Sequence, residues 1–493
     1  DLRPSTGTSG IYSTAGGVLW LAGNVSGTTL QNAATGTVVL SGSNSFTGRF
    51  ITTQNSSNLV LNSTYALGGG GGVQFNSGLN LNNTSGSALT LAGNNNLYFN
   101  NAGNQTLTFI GTNDLSFGSG TAVLTNSSKT ISTTAGVLTI GSIDVSGANS
   151  GTYSLTKTGN GGALAITGAA GAGFSGGVTL SGTGALQVGH NNALGTGLVT
   201  VTSVNASLQA INGDRVLANP FAFTALGTTY ISGSQSLTLS GTAVYSALQA
   251  NTGPNNTIVA GKLLTFQGGI DIYSGTATTG VNSFTFAGSG DTLVSGNILQ
   301  SSTSVSRGVT ISNTGAGITT FSGSNSYTGL TTVSTGVLKL DSANALPGGA
   351  LTISSGGILG LGTGNSSFTR AKGSGNGQVQ WNSGGFAAYG ADATVDFGGV
   401  GTSGTGVTVN ADTTYSAVTA DKTVVMVNNF NFSTQPKTLT VYNGSADVDA
   451  RFTASIAGSG TGNFIKAGAG TLEMTAAVAY SGTTSISAGQ MRF

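Results

Sequence analysis

The stretch Gly317-Ile318-Thr319-Thr320-Phe321-Ser322-Gly323, continuing as Ser324-Asn325-Ser326-Tyr327-Thr328-Gly329, decides the fold because it recurs. Gly36-Thr37-Val38-Val39-Leu40-Ser41-Gly42 runs on into Ser43-Asn44-Ser45-Phe46-Thr47-Gly48 with the same order of glycine, apolar strand, Ser-Gly-Ser-Asn-Ser, aromatic and Thr-Gly. Fainter copies run from Gly162 to Gly168, ending in Phe174-Ser175-Gly176, and from Gly470 through Leu472 and Met474 to Tyr480-Ser481-Gly482. A second landmark follows in phase: Tyr65-Ala66-Leu67-Gly68, Asn192-Ala193-Leu194-Gly195 and Asn344-Ala345-Leu346-Pro347-Gly348. Self-similarity of this kind marks a repeat architecture.

Between the landmarks the local unit is an apolar, polar, apolar triplet, as in Leu79-Asn80-Leu81, Leu107-Thr108-Phe109 and Leu237-Thr238-Leu239. Period two predicts short strands with one buried face. No segment has the 3.6-residue period that a helix-containing repeat needs. The expectation is therefore an all-β parallel β-helix, a β-solenoid of roughly 20–25 residues per rung. At about 22 residues a rung the chain makes roughly 22 rungs, and strand spacing then makes a rod on the order of 100 Å long. Alternation puts Leu338, Leu340, Leu351 and Ile353 in the core and Lys339 and Thr352 outside.

The copies divide the chain into 1–35 (the end of a preceding repeat), 36–161, 162–316, 317–469 and 470–493 (the start of another), read as one continuous solenoid. Within the fourth segment, residues near 365–450 concentrate acids and aromatics and are expected to be variant rungs with longer loops. Neither end reads as a polar cap, so the terminal rungs are expected to meet more of the same chain or a stacked protomer.

Composition agrees with this architecture. Glycine is 83 of 493 residues and proline 5; corners that need positive φ are where glycine is favoured. Only 6% of residues are charged, yet 38% are hydrophobic, which is not the signature of a disordered chain. Fifteen basic against fourteen acidic residues, with no basic run, argue against a nucleic-acid partner. With no cysteine there are no disulfides and no thiolate chemistry. No stretch has the roughly 20 apolar residues of a membrane span, and Asp1-Leu2-Arg3-Pro4 does not open a leader. With so few charges to titrate or screen, resistance to acid, salt and heat is expected.

The segment Thr319 to Leu338 resembles the autotransporter-associated β-strand repeat, also called the passenger-associated transport repeat. The resemblance is good near 36–61 and 317–340 and fainter near 162–188 and 470–493. It implies a right-handed β-helical passenger exported to the bacterial cell surface, and no particular activity. Such proteins usually continue into an outer-membrane β-barrel; nothing in these residues has that form.

Catalytic chemistry is sparse. His190 is the only histidine and lies in a turn, so a serine triad has no other base. Asp392 with Asp396, and Asp447 with Asp449, are spaced to share a strand face as a glycosidase or lyase pair would, but few cations accompany them. They are read as solvated outer-face charges. No calcium-binding nonapeptide or phosphate loop is present. The expectation is no catalytic residue, no metal site, no cofactor and no enzyme. Trp381, Phe386 and Tyr389, with Trp20, are a candidate contact surface for sugars if exposed, and core or cap filling if buried.

The function expected is a structural protein of an extracellular fibre, sheath or coat, its partner being itself. An adhesin binding glycans or other cells is the alternative, with a carbohydrate-active enzyme behind it.

Overall fold

The computed structural model describes residues 8–146, 152–225, 227–246, 252–273, 283–303, 305–398, 406–432, 435–457, 463–480 and 482–493. The leader sought at residues 1–4 lies outside them. Short strands alternate with turns throughout, and no α-helix occurs among the described residues. The strands wind into a β-solenoid of about 19 turns, and its strand pairs are parallel. The chain divides into two units, Asp1–Ala243 and Val244–Phe493.

In the first unit one sheet runs through Val137–Ile140, Ala163–Ile166, Ala185–Val188 and Ser207–Ala210. Its register stacks Leu115, Leu138, Leu164, Leu186, Leu208 and Ile231 into one column. All six are buried. A second sheet stacks Val38, Leu59, Leu81 and Phe109 in the same way. Each rung places a like side chain on the one below, so apolar surface is removed from water at every step and the rung contacts only its neighbours.

In the second unit the column Leu338, Leu359, Phe386, Tyr415, Val441 faces inward. Leu340, Leu351 and Ile353 are buried as alternation requires, while Lys339 and Thr352 are partly exposed on the outer side.

Rung length varies more than a fixed 22. Ile318 pairs with Val337, 19 residues on, whereas Ala393 pairs with Val424, 31 residues on. Long rungs occur in the acidic and aromatic section, where Gly385 pairs with Thr414, and equally outside it, where Asn255 pairs with Ala287 and Leu79 with Leu107. The extra residues lie in loops, which is why the turns number fewer than roughly 22.

Candidate functional site

The candidate acid and base residues all bond to the chain around them. His190 is exposed in a turn, and its Nδ1 accepts the Asn192 N–H at 3.0 Å. Asp392 accepts the Thr423 N–H at 2.9 Å, and Asp396 accepts the Gly398 N–H and the Asn428 amide, each at 2.9 Å. Asp447 is exposed and forms a bidentate pair with Arg492 at 2.8 and 3.2 Å. That pair holds the Asp447 carboxyl below the usual carboxylate range.

Asp449 corrects an expectation. It is fully buried, not solvated, and it accepts the Gly444 N–H at 2.7 Å, the Thr471 N–H at 2.8 Å and the Ser416 hydroxyl at 3.4 Å. Both Asp447 and Asp449 sit in a bend rather than on a strand, so the two-residue spacing does not align them. Among the described residues no three His, Cys, Asp or Glu gather as a metal site.

The aromatic surface is likewise corrected. Trp381 is 8% exposed, Phe386 is fully buried and Tyr389 is 7% exposed. Trp381 stacks on Phe397 at 5.2 Å and 15° and meets Phe386 edge-on, while its Nε1–H donates to the Gly384 carbonyl at 3.1 Å. The solenoid interior needs bulk where Ala388 supplies little, and rings fill it. Tyr389 points outward by alternation, but the chain through Ala417 and Ala420 folds back over it. The Tyr389 hydroxyl meets Thr419 Oγ1 at 3.1 Å, the Gly390 N–H donates to Asp421 at 2.7 Å, and Ala388 and Lys422 form an antiparallel bridge. Burial pushes the Tyr389 phenol up to about 12. Of the four rings only Trp20 is exposed, with its Nε1–H on Ser41 Oγ at 2.6 Å.

What the repeat motif builds is a corner. Asn325 is buried and joins three rungs: its Oδ1 accepts the Ile298 N–H at 2.7 Å from the rung below, and its Nδ2 donates to the Ala345 carbonyl at 2.6 Å in the rung above. Asn44 does the same in the first unit, accepting from Val25 N–H at 2.8 Å and donating to the Ala66 carbonyl at 2.7 Å. The Ser-Asn-Ser and Ala-Leu landmarks are thus two sides of one joint. The aromatic two residues later turns inward and closes the corner: Phe46, Phe174 and Tyr327 are all buried.

A second set of residues escaped sequence reasoning. Just before each copy stands Asn32, Lys157, Asn313 or Lys466, each buried. The Lys466 ammonium donates to the carbonyls of Ala467, Gly468 and Ala488 at 3.1, 2.7 and 2.9 Å. Asn313 Nδ2 donates to Thr319 Oγ1 and the Gly317 carbonyl at 3.0 and 3.2 Å. A Cβ on Gly184, Gly336 or Gly489 in the next rung would come within 2.6–2.8 Å of Lys157, Asn313 or Lys466. The recurring signal was a long polar side chain four or five residues ahead of each opening glycine.

The outward side of the second unit's corner is a groove of about 560 Å³ lined by Ser324, Ser326, Thr328, Asn344, Pro347 and Asn376 among others, none of them charged.

The family model described as passenger-associated-transport-repeat matches residues 35–54, 314–340 and 464–492. This chain carries passenger-associated transport repeats. The matched segments hold Asn44, Asn325, Tyr327, Gly336, Lys466 and Gly489, so the repeat's pattern falls on the residues that knit one rung to the next. The copy opening at Gly162 is not among the matched segments. No curated protein and no solved structure matches the chain. The passenger-associated transport repeats and the β-solenoid together fit an autotransporter passenger domain, a family of surface-exposed or secreted proteins.

Proposed function

We propose that this chain is a non-catalytic structural section of a passenger on the bacterial cell surface, a solenoid that assembles with copies of itself into a fibre, sheath or coat. The observation that carries the reading is that the polar groups an enzyme would deploy are spent on the backbone. Asp392, Asp396 and Asp449 cap N–H groups, and Lys466 closes a turn. Weakly charged rungs, with 6% of residues charged, support association between copies, because little desolvated charge opposes it.

Two measurements test it. Electron microscopy and sedimentation across a concentration series are expected to show filaments or sheets; a monomer persisting at all concentrations overturns the assembly. Incubation with a panel of polysaccharides is expected to release no product; turnover lost in His190→Ala or Asp392→Asn overturns the non-catalytic reading.

A further inference from the structure

We propose that the groove at the second unit's repeat corner binds neutral saccharide, a site independent of the fibre reading. Alternation through the motif turns Asn325 and Tyr327 inward and leaves Ser324, Ser326 and Thr328 exposed along one wall. Asn344 stands exposed in the next rung, Asn376 on the loop beyond it, and Pro347 forms part of the floor.

Three properties select the ligand. First, the space of about 560 Å³ lies within the size of small-molecule sites. Second, the side chains of Ser324, Ser326, Asn344 and Asn376 make no hydrogen bond to other described residues, so hydroxyl and amide groups of both polarities are open. A sugar ring, which presents donors and acceptors on adjacent carbons, matches such a wall. Third, no charged side chain lines the groove, and the Arg370 guanidinium beside it donates to the Pro347 and Gly349 carbonyls at 2.7 and 2.8 Å. A phosphate, sulfate or uronate would lose its water there without gaining a free counter-charge, and neutral ligands are favoured.

The first unit repeats the wall with Ser43, Ser45 and Thr47, all exposed. There the position matching Asn344 is Tyr65, 52% exposed, an aromatic face beside the hydroxyls. The outward half of the motif is thus polar, neutral and open in both copies, while its inward half is committed to the rung joint.

The test is titration calorimetry and saturation-transfer NMR on the whole chain with neutral oligosaccharides of glucose and of N-acetylglucosamine, against oligogalacturonate. Weak, salt-independent binding of a neutral sugar is expected, weakened about tenfold in Asn344→Ala/Asn376→Ala, since two polar side chains are removed. Circular dichroism checks that the variant keeps its strands; both positions are exposed. The proposal fails if no neutral sugar gives a signal at about 10 mM, if the double variant binds equally well, or if oligogalacturonate binds better with salt sensitivity. Failure here leaves the fibre reading standing, because filament formation is read separately.

Discussion

The Tyr327 hydroxyl lies 2.7 Å from Thr331 Oγ1, and both groups are buried. Burial raises the Tyr327 phenol well above its ordinary value, so the pair is neutral. The other copies vary in concert. Tyr480 bonds to Thr484 at the same four-residue spacing, whereas Phe46 is followed by Phe50 and Phe174 by Val178, all apolar and buried. A hydroxyl at one position is answered at the other. Tyr327→Phe is expected to cost about 1–2 kcal/mol by leaving Thr331 unpaired, and Tyr327→Phe/Thr331→Val to recover most of it. Denaturant unfolding of both variants checks the cycle.

Asn325 joins the rungs through both ends of its amide. Asn325→Ala is expected to cost about 2–4 kcal/mol, because the Ile298 N–H and the Ala345 carbonyl both lose a buried partner. Asn325→Asp keeps the acceptor but aims a carboxylate at the Ala345 carbonyl, so its penalty should grow as pH rises above about 4. Thermal melts at pH 3.5 and 7 distinguish the two.

Gly336 has φ +72°, and a Cβ there would lie 2.6 Å from the Asn313 Cβ. Gly336→Ala is expected to destabilise by about 2 kcal/mol or more, from left-handed strain and a clash together. A Cβ on Gly348 meets nothing within 4 Å and its φ is ordinary, so Gly348→Ala should be within about 0.5 kcal/mol of the parent.

Burial lowers the Lys129 and Lys157 ammonium groups from 10.5 to about 8. In the folded chain they lose their protons near pH 8, while the unfolded chain keeps them to about 10.5, so the unfolded state binds more protons in between. Stability is therefore expected to rise as pH goes from about 8 to 10.5, other groups equal. Lys157→Met should flatten that rise, and urea midpoints across the pH range read it.

Much of the architecture was legible because it is local and repeated. Period-two triplets place Leu338 and Leu340 inward and Lys339 outward, and a motif copied at Gly36 and Gly317 implies a stacked rung wherever it recurs. Rung length was less legible: the acids and aromatics near 365–450 pointed to longer loops, but no residue between Ala393 and Val424 sets the 31 residues that close that turn, since a loop of any size satisfies a solenoid that contacts only its neighbours.

The candidate site divides along the same line. Sequence alone determined that the lone histidine has no catalytic company and that charged residues are few. Only the tertiary structure decided that Tyr389, outward by alternation, is buried under Ala417 and Ala420, that Asp449 lies inside the protein, and that Lys466 reaches three carbonyls from two successive rungs. Alternation is a property of the backbone's pleat and is written residue by residue. What covers a face, or answers a buried charge, comes from a rung roughly 20 to 30 residues away in this chain, and only the packing brings the two together.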